Sequence, residues 1–447
     1  MAEAMTPITD LSARAMARAI RRRELSPVAV LEAHLARIDQ LEGSVGAWVH
    51  IDRSGALEAA RAMEAEARTG RFRGPLHGVP VGVKDIFDVA GMVTTSGAPA
   101  FAHRLPAADA AAVARLRGAG AIIIGKTTTT AFAYADPTGT RNPWNLEHTP
   151  GGSSSGSAAA VASHMVPLAL GSQTIGSTLR PAAYCGIVGL KATYGVISAM
   201  GVTPLAWSLD HVGILARDVE DAALALAVLA DPARAATGGD RRPPRLGIPR
   251  ALFVGVATPE VTAHVEAVAE RLARAGATVD DVAVPRGAAA LHAAGQLVLR
   301  VEAAAYHAGQ FAAHRDTYPP RIRGLVESGL GERAVDYVAA QRTRAQFRDE
   351  MAPILRQFDA LLMPVAPSPA PRGLETTGDP VLCAPWSFGG QPAIALPSGL
   401  TGAGLPLAIQ LAAGADAEAR LLDVARWCEG LLEFTAAPSL VRGPAVA

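Results

Sequence analysis

Thr149-Pro-Gly-Gly-Ser-Ser-Ser-Gly-Ser157 and Gly171-Ser-Gln-Thr-Ile-Gly-Ser-Thr-Leu-Arg-Pro181 are two Gly/Ser-rich runs separated by the apolar residues 158–170. By composition alone such runs are linkers. Their setting argues otherwise. The first lies mid-chain and passes directly into Ala158-Ala-Ala-Val-Ala162. The second follows a strand-like Val166-Pro-Leu-Ala-Leu170. Glycine and serine held between packed elements mark a backbone that approaches something closely, with hydroxyls aimed at it. The expected order is a helix over residues 155–164, a strand over 166–170 and a turn over 171–177.

Upstream, Gly74-Pro-Leu-His-Gly-Val-Pro-Val-Gly-Val-Lys-Asp-Ile-Phe87 reads as a turn into a buried strand. Lys84 is out of place among Val81, Val83, Ile86 and Phe87. A lysine there either reaches solvent or pairs with a carboxylate such as Asp85. The functional reading is a desolvated amine whose pKa falls from about 10.4 toward neutrality, which makes it a base.

Two common motifs occur in the wrong context. Gly120-Ala-Ile-Ile-Ile-Gly-Lys-Thr127 matches the phosphate-loop pattern. That loop needs its middle residues in a turn with amides facing phosphate, and Ala-Ile-Ile-Ile reads as a strand. Gly152-Ser-Ser-Ser-Gly156 matches a nucleophile elbow centred on Ser154. The elbow needs a strand immediately before it, and Arg141-Asn-Pro-Trp-Asn-Leu-Glu-His-Thr-Pro150 is loop-like.

The remaining pattern alternates strands and helices. Ser26-Pro27 starts a helix, with serine as N-cap and proline at the first helical position. Further helices are expected at 57–68, 109–118, from Thr258-Pro259 to Gly276, and at 287–314, 332–358 and 417–432. Strands are expected at 121–124, 246–248, 279–284, 361–365, 393–396 and 407–411. The strand–helix–strand order over 246–284 predicts a parallel pair. No linker, repeat or low-complexity tail divides the chain. The expectation is one α/β domain over residues 5–435, with core motifs at 74–220 and a mainly helical insertion or lid at 287–358.

The chain has 447 residues, with 41 basic and 41 acidic side chains. Balanced charge without a basic face disfavours nucleic acid and anionic membranes as partners. Apolar runs are short, so no membrane span and no signal peptide are expected. Cys185, Cys383 and Cys428 are far apart and odd in number, which fits a reducing cytoplasm rather than a disulfide framework. No His/Asp/Glu group has metal-ligand spacing, so no metal and no cofactor are expected.

Together these stretches resemble the amidase signature family. The likeness rests on Gly78-Val-Pro-Val-Gly-Val-Lys-Asp85, on Thr149 to Ala160, and on Gly176-Ser177 followed by Arg180-Pro-Ala-Ala-Tyr-Cys-Gly-Ile-Val-Gly-Leu-Lys191. Phe358-Asp-Ala-Leu-Leu-Met-Pro364, Ala384-Pro-Trp386 and Gly404-Leu-Pro-Leu-Ala-Ile-Gln410 extend it to nearly the whole chain. The resemblance implies a large mixed sheet covered on both faces by helices. It also implies a Ser–cis-Ser–Lys triad, with Ser177 as nucleophile, Ser153 as bridging serine after a cis peptide, and Lys84 as base. Backbone amides of Thr174, Ile175, Gly176 and Ser177 are the implied oxyanion hole, and Ser172 the supporting hydroxyl.

Two departures stand out. Many relatives have Asp-Thr-Gly-Gly-Ser where this chain has Gln173-Thr-Ile-Gly-Ser177. Arg180 lies three residues after Ser177, as in malonamidase-like members, where it holds a substrate carboxylate; the alternative is a structural ion-pair partner. The pocket walls are expected from the loop around Tyr134 and from segments 287–358 and 384–392. The implied activity is hydrolysis of a small-molecule amide, with carbamates or esters also allowed, and a homodimer as one expected state. The alternatives are an amidotransferase A-type subunit supplying ammonia to a partner, and a nucleotide-binding protein through Gly120 to Thr127.

Overall fold

Val81, Val83, Ile122, Ile123, Ile124, Leu168 and Leu170 are all buried. Strands that are apolar on both faces need cover on both sides, and helices supply it. The computed structural model describes residues 6–98, 103–231, 239, 242–285 and 287–442. Within them lie strands β1 (Trp48–Ile51), β2 (Pro80–Lys84), β3 (Ile122–Thr127), β4 (Leu168–Gln173), β5 (Val188–Lys191) and β6 (His211–Ala216). They are followed by β7 (Arg245–Ile248), β8 (Thr278–Asp281), β9 (Ala360–Pro364), β10 (Ala393–Leu400) and β11 (Pro406–Ala412). All join one mixed sheet in the order β1-β3-β2-β4-β6-β5-β10-β11-β9-β7-β8. The centre of one half, β3-β2-β4, is parallel. No helix among the described residues is long and apolar enough to cross a membrane.

Local rules account for many of the elements. Ser26 Oγ accepts the Ala29 N–H at 3.0 Å and starts helix Pro27–Val45, as N-capping predicts. Thr258 caps helix Pro259–Arg274. That helix joins β7 to β8, which pair in parallel as expected. Helices Ala288–His314 and Ala334–Leu355 fall inside the expected helical stretches, and both pack together.

Other boundaries differ from expectation. The expected helix at 57–68 starts at Arg53, because Asp52 Oδ1 accepts the Gly55 N–H at 2.9 Å. β4 runs on to Gln173, so Gly171, Ser172 and Gln173 are strand and the turn begins only at Thr174. β6 pairs with that whole length, which holds a Gly-Ser-Gln segment extended despite its weak strand propensity. Helix Pro320–Leu330 lies between the two expected helices and packs on Ala288–His314. Strands β1, β5 and β6 are additional to those expected. β5 is four residues long and is set by its pairing with β6 and β10. Met5, the first residue of the expected domain span, lies outside the described residues.

One glycine of the first Gly/Ser run has a packing reason. A Cβ on Gly156 would sit 2.2 Å from the Ala47 carbonyl oxygen and 2.4 Å from the Thr128 amide nitrogen. Helix Ser155–Ala162 thus lies against bare backbone next to β1 and β3. Gly156→Ala is expected to lower the thermal midpoint markedly, because main chain cannot move aside cheaply. Gly43→Ala, in helix Pro27–Val45 with open space around it, should be neutral or stabilising by about 0.5–1 kcal/mol. Thermal melts of the two variants check the contrast.

Candidate active site

Lys84 is the last residue of β2 and is fully buried. Its Nζ lies 2.7 Å from Ser153 Oγ and 2.7 Å from Ser172 Oγ. Ser172 comes from β4, hydrogen-bonded beside β2. Ser153 comes from the turn before helix Ser155–Ala162, immediately after a cis Gly152–Ser153 peptide. Burial drives the Lys84 pKa well below its ordinary value, and the negative charge of Asp210 opposes that only in part. Removing an ammonium from water favours the neutral amine, so the group can accept a proton.

Asp85 does not pair with Lys84. Its carboxylate meets Lys126 Nζ at 2.8 Å, with both side chains fully buried. Lys126 lies within β3, as do Gly125 and Thr127. The phosphate-loop reading therefore fails on geometry: its Gly-Lys-Thr is strand, and the lysine is held by Asp85. The elbow reading fails as well. Ser154 is fully buried, and its Oγ bonds the carbonyl and amide of Ser172 instead of facing a cavity.

Ser177 follows β4 by four residues and is 9% exposed. Its carbonyl accepts the Ser154 N–H at 3.3 Å, which ties the two Gly/Ser runs together. Gln173 organises the turn between. Its Oε1 accepts the N–H groups of Thr178 at 2.8 Å and Leu179 at 2.9 Å, at the start of helix Leu179–Cys185. Its Nε2 donates to Ser387 Oγ at 3.0 Å, and Ser387 Oγ donates to the Ile175 carbonyl at 2.6 Å. The N–H groups of Ile175, Gly176 and Ser177 have no protein acceptor among the described residues. Thr174 is gripped by its side chain, which donates to Asp210 Oδ1 at 2.6 Å.

The turn faces a cavity of about 240 Å³, lined by Thr174, Ile175, Gly176 and Ser177 and by Tyr134, Arg180 and Arg321. Tyr134 and the helical stretch supply walls as expected, the latter through Gln296, Leu299 and Arg321. Segment 384–392 does not line it. Thr376, Thr377, Gly378 and Pro380 do, while Ser387 supports the turn from behind. These wall residues carry no local pattern, so sequence reasoning missed them, and it missed Asp210 too.

Arg180 is not an ion-pair partner: no carboxylate among the described residues lies within salt-bridge distance of it. Its terminal nitrogens donate to the carbonyls of Gly152 and Gly378, each at 2.6 Å, and to Thr377 Oγ1 at 3.1 Å. Its Nε has no hydrogen-bond partner among the described residues.

A buried amine whose charged form is disfavoured, touching two hydroxyls beside a turn of unpaired amides and a cavity, is equipped for acyl chemistry. Comparison with known proteins agrees. A family model described as Amidase matches residues 29–422. The A-type subunit of a glutamyl-tRNA(Gln) amidotransferase from Roseiflexus castenholzii is 36% identical, covering 94% of this chain and 95% of its own. An amidase of Pseudomonas putida is 38% identical, covering 83% of this chain and 82% of its own. A crystal structure of an amidase superimposes with a TM-score of 0.87 at 33% identity, covering 94% of this chain and 99% of its own. The chain thus belongs to the amidase signature family, hydrolases that act on carbon–nitrogen bonds.

Proposed function

We propose that this enzyme cleaves a small-molecule amide through an acyl-enzyme on Ser177, with Ser153 as proton relay and Lys84 as base. The observation that carries the reading is the Lys84 amine, buried and within 2.7 Å of both Ser153 and Ser172. A serine hydroxyl attacks poorly until a base removes its proton. Lys84 takes a proton from Ser153 as Ser153 takes one from Ser177, and Ser177 Oγ bonds to the carbonyl carbon. The negative oxygen that develops is met by the amides of residues 174–177. The C–N bond breaks as the leaving nitrogen receives the proton back, giving ammonia or an amine. Water then repeats the cycle and releases the carboxylate. Carbamates and esters pass through the same tetrahedral oxygen and are within reach of the same site.

Arg180 serves as a positioning and substrate-facing group, since it braces the Gly152 carbonyl while lining the cavity. Arg180 and Arg321 are cationic, and no carboxylate lies among the lining residues. This favours a neutral or anionic amide. One sheet and one main apolar core support a single domain over 5–435.

A second reading is a subunit that supplies ammonia to partner chains. The 36% identity to the Roseiflexus castenholzii protein over nearly full length favours it. Against it, the ammonium of a bound glutamine would have no carboxylate in this lining, and an unpaired buried charge is costly. Hydrolysis of simple amides by the isolated chain supports the first reading; glutamine hydrolysis only with added partner chains supports the second.

Ser177→Ala is expected to lower kcat/KM by at least about 1,000-fold and to abolish labelling by a fluorophosphonate. Full amidase activity in the folded variant would sink the mechanism. For wild-type protein, the base works only when neutral. Its folded pKa is depressed, so kcat/KM should rise with pH through a limb lying well below about 10.4 and stay high above it. Lys84→Arg, charged at every accessible pH, should remove that limb together with the activity.

A further inference from the structure

Asp210 is a carboxylate beside the reacting residues that accepts three hydrogen bonds and has no role in the mechanism above. Its Oδ1 accepts the Thr174 hydroxyl at 2.6 Å. Its Oδ2 accepts the N–H groups of Leu205 at 2.8 Å and Ala206 at 3.0 Å. One carboxylate therefore joins the first residue of the oxyanion turn to a second loop that also lines the substrate cavity through Leu205. It shares a small chamber of about 10 Å³ with Thr174, His211 and Ser172, the last of which is hydrogen-bonded to Lys84. Among the described residues, Asp210 is also the charged group whose field acts appreciably on Lys84.

We infer that Asp210 is a positioning residue for the acyl-transfer step, holding Thr174 so that the turn ending at Ser177 stays aimed at the tetrahedral oxygen, and bringing one negative charge near the lysine base. The inference rests on the Ser177–Ser153–Lys84 reading. Its physical basis is preorganisation: backbone donors stabilise a developing oxyanion only when fixed before the reaction. Thr174 is the hinge between β4 and the turn. Gln173 fixes one end of that turn and Ser387 its middle at the Ile175 carbonyl. The Asp210 contact fixes the remaining side.

The charges facing Asp210 are limited. Burial raises its pKa to about 6, with Glu302 adding to the rise, while the bonds from Thr174, Ala206 and Leu205 pull the other way. Burial, with Lys191 and Arg344 adding to it, lowers the pKa of His211, next in the chain. Tyr194 is raised by burial first, and feels Glu302 and Asp210 as well. The ionised carboxylate is the form that accepts three donors.

The test compares Asp210→Asn and Thr174→Val with wild-type protein on one simple amide across pH. Asp210→Asn loses the charge and cannot accept the Leu205 and Ala206 amides through its nitrogen. It should lower kcat by about 10–100-fold with KM changed less than about threefold. It should also move the ascending limb of kcat/KM to lower pH, because the charge that favours protonated Lys84 is gone. Thr174→Val removes only the hydroxyl. It should lower kcat in the same direction, by about 3–10-fold, and leave the limb in place. If both variants keep kcat within about twofold of wild type, the inference is overturned. It is also overturned if Asp210→Asn lowers activity with kcat and KM changing together and the limb unmoved, which is the mark of a purely structural role. If Asp210→Asn does not fold, Thr174→Val alone decides: unchanged kcat overturns the inference and a kcat-specific loss supports it. Failure of the triad reading shows separately, as amidase activity that survives Ser177→Ala.

Discussion

The arrangement depends on a primary amine kept out of water without a carboxylate against it. Two lysines enter this half of the sheet on adjacent strands, Lys84 on β2 and Lys126 on β3. One is given a charge partner and the other is not. Asp85 is the first residue past the end of β2, and its carboxylate reaches Lys126 on the neighbouring strand instead of Lys84. Had Asp85 turned the other way, an ion pair would hold Lys84 protonated and useless as a base. The difference between an inert lysine and a reactive one is thus which of the two the Asp85 carboxylate reaches. The hydroxyls of Ser153 and Ser172 then satisfy the amine without charging it.

A neutral base is of no use unless the nucleophile and its amides are equally well held. Gln173 does this through a side chain that both accepts and donates. Its oxygen closes the start of helix Leu179–Cys185, and its nitrogen holds Ser387, whose hydroxyl reaches back to Ile175. An ionised carboxylate at the same position could accept but not donate. Gln173 is therefore tied to a serine more than two hundred residues away. The β-branched Ile175 fits the turn because its carbonyl is anchored, leaving its N–H unpaired.

What can be read from sequence follows how local each signal is. Caps at Ser26 and Thr258 and the apolar run of β3 are written in neighbouring residues, and they appear as expected. Lys84, Ser153, Ser172, Ser177, Arg180 and Tyr134 sit in distinctive stretches, and they converge on one region. β5 and β6 are short and glycine-interrupted, and only partner strands make them extended. The end of β4 is hidden for the same reason: Gly-Ser-Gln looks like turn until β6 pairs with it. Asp210, Gln296, Arg321, Thr376, Thr377, Gly378 and Pro380 reach the site by tertiary packing alone. No sequence pattern marks them.

The cavity is assembled from two portions of chain with different duties. Every side chain hydrogen-bonded to Lys84, and Ser177 itself, precedes residue 178, whereas most of the opposing wall comes from residues 296–380. The helices of that wall can change length and surface while the strands beneath them stay fixed. A lineage built on this plan can be retargeted to new compounds by drift in its outer segments.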